Sequence, residues 1–259
     1  MFKPFDLSGK TALVTGGNGG IGLGMAHGLA AAGADLVIWG TNAEKNARAT
    51  AELAAHGTRI TARVVDVANE DDVVAAMAGA IAHTGRLDAC FANAGVSNRW
   101  GSFLDMGGAD YRRLMAINLD GQVWTMREAC RHMKVRAEAG DRGGAIVCVA
   151  SMAALFGAAR NEDYSATKAA VISVIKGIAV EFARYGVRAN AILPGWVATG
   201  MTQAAQANDQ FTDRVIGRVP MRRWGKPDEF AGIAVYLASD ASTFHSGDAI
   251  LIDGGYAAF

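Results

Sequence analysis

The stretch Thr11–Gly22, TALVTGGNGGIG, decides how the rest of the chain is read. Its first five residues, Thr11–Thr15, form a short apolar run, glycines follow, and a helical pattern opens at about Gly20. Gly16, Gly20 and Gly22 keep a G-x-x-x-G-x-G spacing with Asn18 and Ile21 between them. Glycine permits positive φ and lets the backbone approach a bound anion closely. A helix starting directly after such a turn aims unpaired N–H groups at that anion, so strand, turn and helix together suit a pyrophosphate. Thr11–Ala34 also lacks Asp, Glu, Lys and Arg over 24 residues, which is long enough to cross a bilayer. Its eight glycines, with Asn18 and His27, favour a strand, a glycine turn and a helix instead, and a soluble chain is expected.

The same alternation continues outward. Asp35–Trp39, Ile60–Val65, Leu87–Ala92, Gly144–Ala150, Val187–Leu193 and Ala249–Ile252 read as further strands. Helical stretches fall at Ala43–His56, Glu70–Thr84, Asp110–Glu138, Asp163–Tyr185 and Pro227–Ser239. Strands that are continuous apolar runs are buried on both faces. Alternation with helices then predicts an α/β fold, a doubly wound Rossmann-type parallel sheet of about seven strands with helices on both faces. No linker or repeat divides residues 1–259, so one domain is expected. Residues 195–225 are less periodic and follow a strand's carboxyl end, where ligands bind in this architecture, so they are expected to form a substrate lid.

Composition narrows the class. The 259 residues carry 25 Lys plus Arg against 25 Asp plus Glu, and 51% are hydrophobic. A zero balance lacks the cationic footprint of a non-specific nucleic-acid binder. Cys90, Cys130 and Cys148 are too few and too scattered for a disulfide framework or a metal site, which points to the reducing cytoplasm. Residues 1–10 lack the apolar segment of a signal peptide. The apolar content and the final Tyr256–Phe259 suggest surface buried in an oligomer.

A second constellation carries chemistry. Ser151 follows the fifth strand, and Tyr164 and Lys168 are four apart at the start of a helix, hence on one face. A phenol near pKa ~10 is a weak base at neutral pH. A nearby ammonium is expected to lower that value, and a serine hydroxyl to hold a substrate oxygen beside it. Such a set can interconvert a carbonyl and an alcohol.

With these residues in hand, the chain resembles the short-chain dehydrogenase/reductase family over nearly its full length. The resemblance rests on the glycine turn, Asp66-Val67, Asn93-Ala94-Gly95, Asn118, Ser151, YSATK (164–168), PGWVAT (194–199) and DGG (253–255). Ala92 departs from it, standing where the family usually has an asparagine. The resemblance implies Tyr164 as acid and base, Lys168 on the nicotinamide ribose, Ser151 orienting the carbonyl, and Asn118 holding a water that relays protons. It also implies Gly16, Gly20, Ile21 and Gly22 around the pyrophosphate and Asp66 and Val67 at the adenine. Asn93, Ala94 and Gly95 would line the cofactor, and Pro194, Gly195, Val197 and Thr199 would lie along its nicotinamide end. Asn18 is placed with the glycine turn.

Cofactor choice turns on the end of the second strand. Trp39-Gly40-Thr41-Asn42 offers no acid to grip ribose hydroxyls. It also lacks an arginine at Thr41 or a basic residue at Gly19, and Lys45 and Arg48 read as solvated helix face. NAD(H) is therefore expected ahead of NADP(H), with Thr41 and Asn42 at the adenine ribose. Within the family the chain is similar to the gluconate and keto-deoxygluconate dehydrogenase branch. Arg99 and Arg160 could fork a substrate carboxylate, while Met152 and Trp196 would suit an apolar ring or acyl chain. An NAD(P)-dependent oxidoreductase for a secondary alcohol, such as a sugar acid, is expected. The alternatives are a 3-oxoacyl or cyclic-ketone reductase, and a non-catalytic dinucleotide sensor. The resemblance also implies a homotetramer without a nucleic-acid or membrane partner.

Overall fold

The computed structural model describes residues 3–258. Seven strands form one parallel sheet: β1 (Thr11–Thr15), β2 (Asp35–Gly40), β3 (Ile60–Val64), β4 (Ala89–Ala92), β5 (Gly144–Val149), β6 (Val187–Pro194) and β7 (Ala249–Ile252). Their order across the sheet is β3-β2-β1-β4-β5-β6-β7, the doubly wound arrangement expected. β1 pairs with β2 in the register Thr15↔Trp39, and with β4 in the register Val14↔Phe91. The chain thus leaves β1 toward one edge and returns to its other side as β4, which opens a crevice at the strands' carboxyl ends.

Two cores follow, one on each face. On one side α1 (Gly20–Ala31), α2 (Ala43–Leu53) and α9 (Ala231–Ala238) cover Val14, Ile38, Phe91 and Val147. On the other, α3 (Glu70–Thr84), α5 (Gly121–Glu138) and α6 (Glu162–Phe182) cover Leu13, Trp39, Cys90, Ile146 and Cys148. Helix starts are set locally. The Asn42 side chain accepts from Lys45 N–H at the head of α2, and that of Asn69 from the N–H groups of Asp71 and Asp72 at the head of α3. Helix α1 lies unusually close to residues 227–231. A Cβ on Gly24 would strike the Pro227 carbonyl, and one on Gly28 would reach Ala231 at 2.7 Å.

Two stretches carry detail the sequence did not show. The helical stretch expected over Asp110–Glu138 is present with a π turn inside it: α4 (Gly108–Met115) passes through Ala116–Asp120 into α5. The apolar period runs through the insertion, so spacing alone hides it, and π turns recur at functional sites. Residues 195–225, read as weakly periodic, hold α7 (Gln203–Gln206) and α8 (Asp209–Ile216). Both are too short to show a period. Among the described residues no helix is long and apolar enough to cross a membrane, and no cluster of three or more His, Cys, Asp or Glu could hold a metal ion. Phe259, the end of the apolar tail, lies outside the described residues.

Candidate active site

The crevice between β1 and β4 is a cleft of about 650 Å³. Its walls bring together Gly16, Asn18, Gly20, Ile21, Gly22, Asn93, Ala94, Gly95, Ser151, Tyr164, Lys168, Pro194, Gly195, Val197 and Thr199. These come from the ends of four strands and the starts of two helices, far apart in sequence. Gly16 and Gly20 adopt φ of +63° and +52°, in the left-handed region that favours glycine. A Cβ on Gly22 would collide with the Gly16 carbonyl and the Asn93 amide, and no side chain caps the start of α1. A close-approach backbone below uncapped helical N–H groups fits a dinucleotide pyrophosphate.

Thr15 and Asn93 hold this turn. The Thr15 hydroxyl accepts the N–H groups of Asn93 and Ala94, each at 2.9 Å, and Asn93 Nδ2 donates to the Thr15 carbonyl at 2.8 Å. Asn118, wholly buried in the π turn, accepts Val96 N–H and donates to the Val96 carbonyl, both at 2.8 Å. Its amide therefore braces the segment after Asn-Ala-Gly. Gly95 must be small, because a Cβ there would come within 3.3 Å of Asn118 Oδ1 and 3.5 Å of Lys168 Nζ.

At the reacting end Ser151 Oγ accepts from Ala153 N–H at 3.1 Å, which ends β5 in a tight turn. Lys168 is 3% exposed, its Nζ donating to the Val149 carbonyl at 2.7 Å and lying 5.5 Å from the Tyr164 ring centre. Burial lowers the lysine to a pKa of about 8. Burial also raises the Tyr164 pKa, and a hydrogen bond from Ser151 only partly opposes it. This corrects the expected lowering by Lys168: desolvation of the phenol outweighs any help from an ammonium that burial itself disfavours.

Several residues escaped the sequence reading. Gln122, one turn after Asn118 and buried, sets its amide against Lys168; with the amide turned to satisfy both ends, its oxygen accepts from Lys168 Nζ at 3.3 Å and its nitrogen donates to the Ala92 carbonyl at 3.2 Å. Thr202 binds the Val197 carbonyl at 2.6 Å and the Thr199 N–H at 3.0 Å, fixing the loop after β6. Asn46 receives Asn18 Nδ2 at 2.7 Å and donates to the carbonyls of Gly40 and Arg63. The i, i+4 offset of Gln122 from Asn118 was the one usable sequence signal.

Other expected residues stand elsewhere. Thr41, Asn42, Asp66 and Val67 are not among the residues lining the cleft. Asn42 Oδ1 is occupied as the α2 cap, and Asp66 binds Ala68 N–H. Lys45 and Arg48, read as solvated helix face, are exposed but line the cleft with Asn18, Ala49 and Glu52. Arg99, Met152, Arg160 and Trp196 do not line it. Arg99 instead lies 5.4 Å over the Phe211 ring, and Trp196 packs edge-on against Phe211 and Trp224. The tail folds onto its own chain, Tyr256 meeting Phe156 and Arg218.

A family model described as enoyl-(acyl carrier protein) reductase matches residues 16–257. The gluconate 5-dehydrogenase of Gluconobacter oxydans is 36% identical over 251 residues, 97% of this chain and 96% of that one. The 2-dehydro-3-deoxy-D-gluconate 5-dehydrogenase of Escherichia coli is 35% identical over 258 residues, 100% of this chain and 99% of that one. The crystal structure of a gluconate 5-dehydrogenase from Burkholderia cenocepacia, in complex with NADP and tartrate, superposes with a TM-score of 0.93 at 36% identity, covering 99% of this chain and 98% of that one. A parallel sheet with serine, tyrosine and lysine beside a glycine-walled crevice defines a nicotinamide-dependent oxidoreductase. The chain belongs to the short-chain dehydrogenase/reductase family, whose NAD(P)-dependent members interconvert alcohols and ketones, and it is such an enzyme.

The buried lysine has a thermodynamic consequence. Between about pH 8 and 10.5 the unfolded chain binds a proton at Lys168 that the folded chain does not, so stability rises with pH through that window. Below it the full cost of about 3 kcal/mol is present. Lys168→Met removes that cost but leaves the Val149 carbonyl unpaired, a loss of about 1 kcal/mol. Urea unfolding should show the cofactor-free variant more stable than wild type by roughly 1–2 kcal/mol at pH 7. The gain should vanish by pH 10.5; a variant less stable at pH 7 would contradict this electrostatic reading.

Proposed function

We propose that this oxidoreductase oxidises a secondary hydroxyl of a sugar acid and reduces the matching ketone. One observation carries the reading: Ser151, Tyr164 and Lys168 meet on the wall of the glycine-lined cleft, in a chain whose relatives include gluconate and 2-dehydro-3-deoxy-D-gluconate 5-dehydrogenases. When bound, a nicotinamide cofactor supplies or accepts the hydride. Gly16, Gly20, Ile21 and Gly22 hold its pyrophosphate, and Asp66 and Val67 its adenine end. Asn93 to Gly95 line its path, with Pro194, Gly195, Val197 and Thr199 at its nicotinamide end. Tyr164 gives a proton to the carbonyl oxygen in reduction and takes it back in oxidation, while Ser151 donates a hydrogen bond to the same oxygen. Lys168 grips the ribose hydroxyls. Asn118 stands by the proton relay from Lys168, its own amide taken up by Val96.

The chain works as one domain, with α7 and α8 closing over the substrate as a lid. Arg160 and Arg99 stand at the substrate side. Arg160 lies four residues before Tyr164, and its carbonyl accepts the N–H of Trp100, next to Arg99. On lid closure either guanidinium can take a carboxylate. The aromatic contact of Phe156 with Tyr256 favours a second reading, a cyclic ketone. A panel of aldonic acids and cyclic ketones, followed at the nicotinamide absorbance, separates the two. With the preferred substrate, Tyr164→Phe should lower kcat by ~10²-fold or more while leaving the cofactor Kd unchanged; a variant keeping over about a tenth of kcat would refute the role of Tyr164.

Cofactor choice is reweighed by the cleft. The expected preference for NAD rested on the missing phosphate clamp, yet Lys45 and Arg48 line the adenine-side wall and no acid ends β2. Glu52 is the one carboxylate on that wall. Two cations on the wall support use of NADP(H) as well as NAD(H). The Lys45→Glu, Arg48→Glu double variant should lose at least tenfold in kcat/KM for NADP while NAD changes less than threefold. Equal changes for both cofactors would remove these residues from the choice.

A homotetramer is the assembly we favour, and the three buried, unpaired cysteines suit a reducing cytoplasm. β7 is a sheet edge with Leu251 exposed on it, and α6 presents Val180 at 82% exposure. A bare strand edge and exposed apolar side chains are relieved by pairing with further copies. Closed symmetry then gives a D₂ tetramer. Light scattering should return about four times the mass of one chain, and Val180→Lys with Leu251→Lys should reduce it. A monomeric mass for the wild type would rule the tetramer out.

A further inference from the structure

One buried acid in the substrate half is left unexplained by the proton chemistry. Asp163, immediately before Tyr164, is 1% exposed. Burying a carboxylate is costly unless it is well hydrogen-bonded. Its partners are three neutral donors. Oδ1 accepts Tyr164 N–H at 2.8 Å, while Oδ2 accepts Asn98 Nδ2 at 3.1 Å and Trp100 Nε1 at 3.2 Å. The first turn of α6 favours a negative charge at this point. One carboxylate thus joins the tyrosine's own backbone to two side chains of a segment more than sixty residues earlier.

The join is reinforced on both sides. Trp100 N–H donates to the Arg160 carbonyl at 3.0 Å, and Ser97 Oγ to Asn161 Oδ1 at 3.3 Å. Arg160 holds φ at +68°, a conformation that non-glycine residues adopt rarely and that persists only when the surroundings impose it. Between the two anchored residues, Asn98 and Trp100, stands Arg99. Its guanidinium lies 5.4 Å over Phe211 of α8, and Phe211 in turn packs edge-on at 5.3 Å against Trp196, just past β6.

We infer that Asp163 is a positioning residue that ties Tyr164 to the helices over the substrate, through the 97–100 segment and Arg99. The inference rests on the proposed role of Tyr164 and extends it. The acid fixes the distance between the proton donor and the roof of the substrate space, so it sets substrate acceptance without touching cofactor. Asparagine in its place keeps the shape but turns one acceptor oxygen into a donor. Either the Tyr164 N–H or the Asn98–Trp100 pair then faces an N–H group.

The test uses the full-length enzyme with gluconate and NADP, together with hydrogen exchange read by mass spectrometry. Asp163→Asn should speed exchange at least tenfold in both 96–106 and 203–216. It should raise the gluconate KM about tenfold, more than kcat falls, and leave the NADP Kd within twofold. Arg99→Met should loosen 203–216 alone. Trp100→Phe, which removes one donor and keeps the ring, should repeat the Asp163→Asn pattern at about threefold; it decides the matter if Asp163→Asn does not fold. Unchanged exchange in 203–216 on altering Asp163 or Trp100, or equal losses in cofactor affinity and KM, would overturn the assignment. If wild type oxidises no sugar acid, that substrate reading falls, and the two exchange segments alone decide the role of Asp163.

Discussion

The Thr15 hydroxyl, accepting the N–H groups of both Asn93 and Ala94, is the interaction on which the site depends. β1 and β4 are neighbours in the sheet, paired as far as Val14↔Phe91. The threonine ties their ends just beyond that pairing. The Gly16 carbonyl and the Asn93 amide together fill the space beneath the glycine turn, so Gly22 cannot bear a side chain. The anion-binding backbone is therefore set by a polar contact between two strands as much as by the glycines.

Burial governs the chemistry at the other end of the cleft. The same desolvation that lowers Lys168 raises Tyr164, which moves the two groups apart on the pH scale: the lysine sheds its proton more readily and the phenol holds its own more tightly. Neutral partners stabilise the lysine's position: the Val149 carbonyl and Gln122 hold Nζ, and Asn118 holds the strand of backbone beside it. No carboxylate is among these partners, and a paired ammonium would be harder to neutralise. The thiols nearby take no part, since burial pushes Cys130 and Cys148 up to about 12.

The two halves of the cleft are built differently. The cofactor half is backbone on rigid strand ends, where side chains mostly brace the turns. Beside the cleft, loops and two short helices present side chains instead: Arg99 lies over Phe211, and Trp196 meets Phe211 and Trp224 edge-on.

The order and type of the main elements were legible in the sequence, as were the glycine turn and the Ser151, Tyr164 and Lys168 set that meet at the cleft, because each follows from local pattern. Short apolar runs alternating with helical stretches read as strands of a parallel sheet, and the central ones, β1, β4 and β5, are buried almost throughout. Glycine spacing after a strand has one common use, and Tyr164 and Lys168 share a helix face by arithmetic. Tertiary structure decided the rest. Asn118 is displaced by a π turn that leaves the apolar period intact, and Lys45 and Arg48 reach the cleft only because α2 packs where it does. Gln122, Asn46 and Asp163 acquire roles from partners distant in sequence or on other elements. Hydrogen-bond partners of that kind are set by where backbones come together in space, and one sequence read alone carries no record of that meeting.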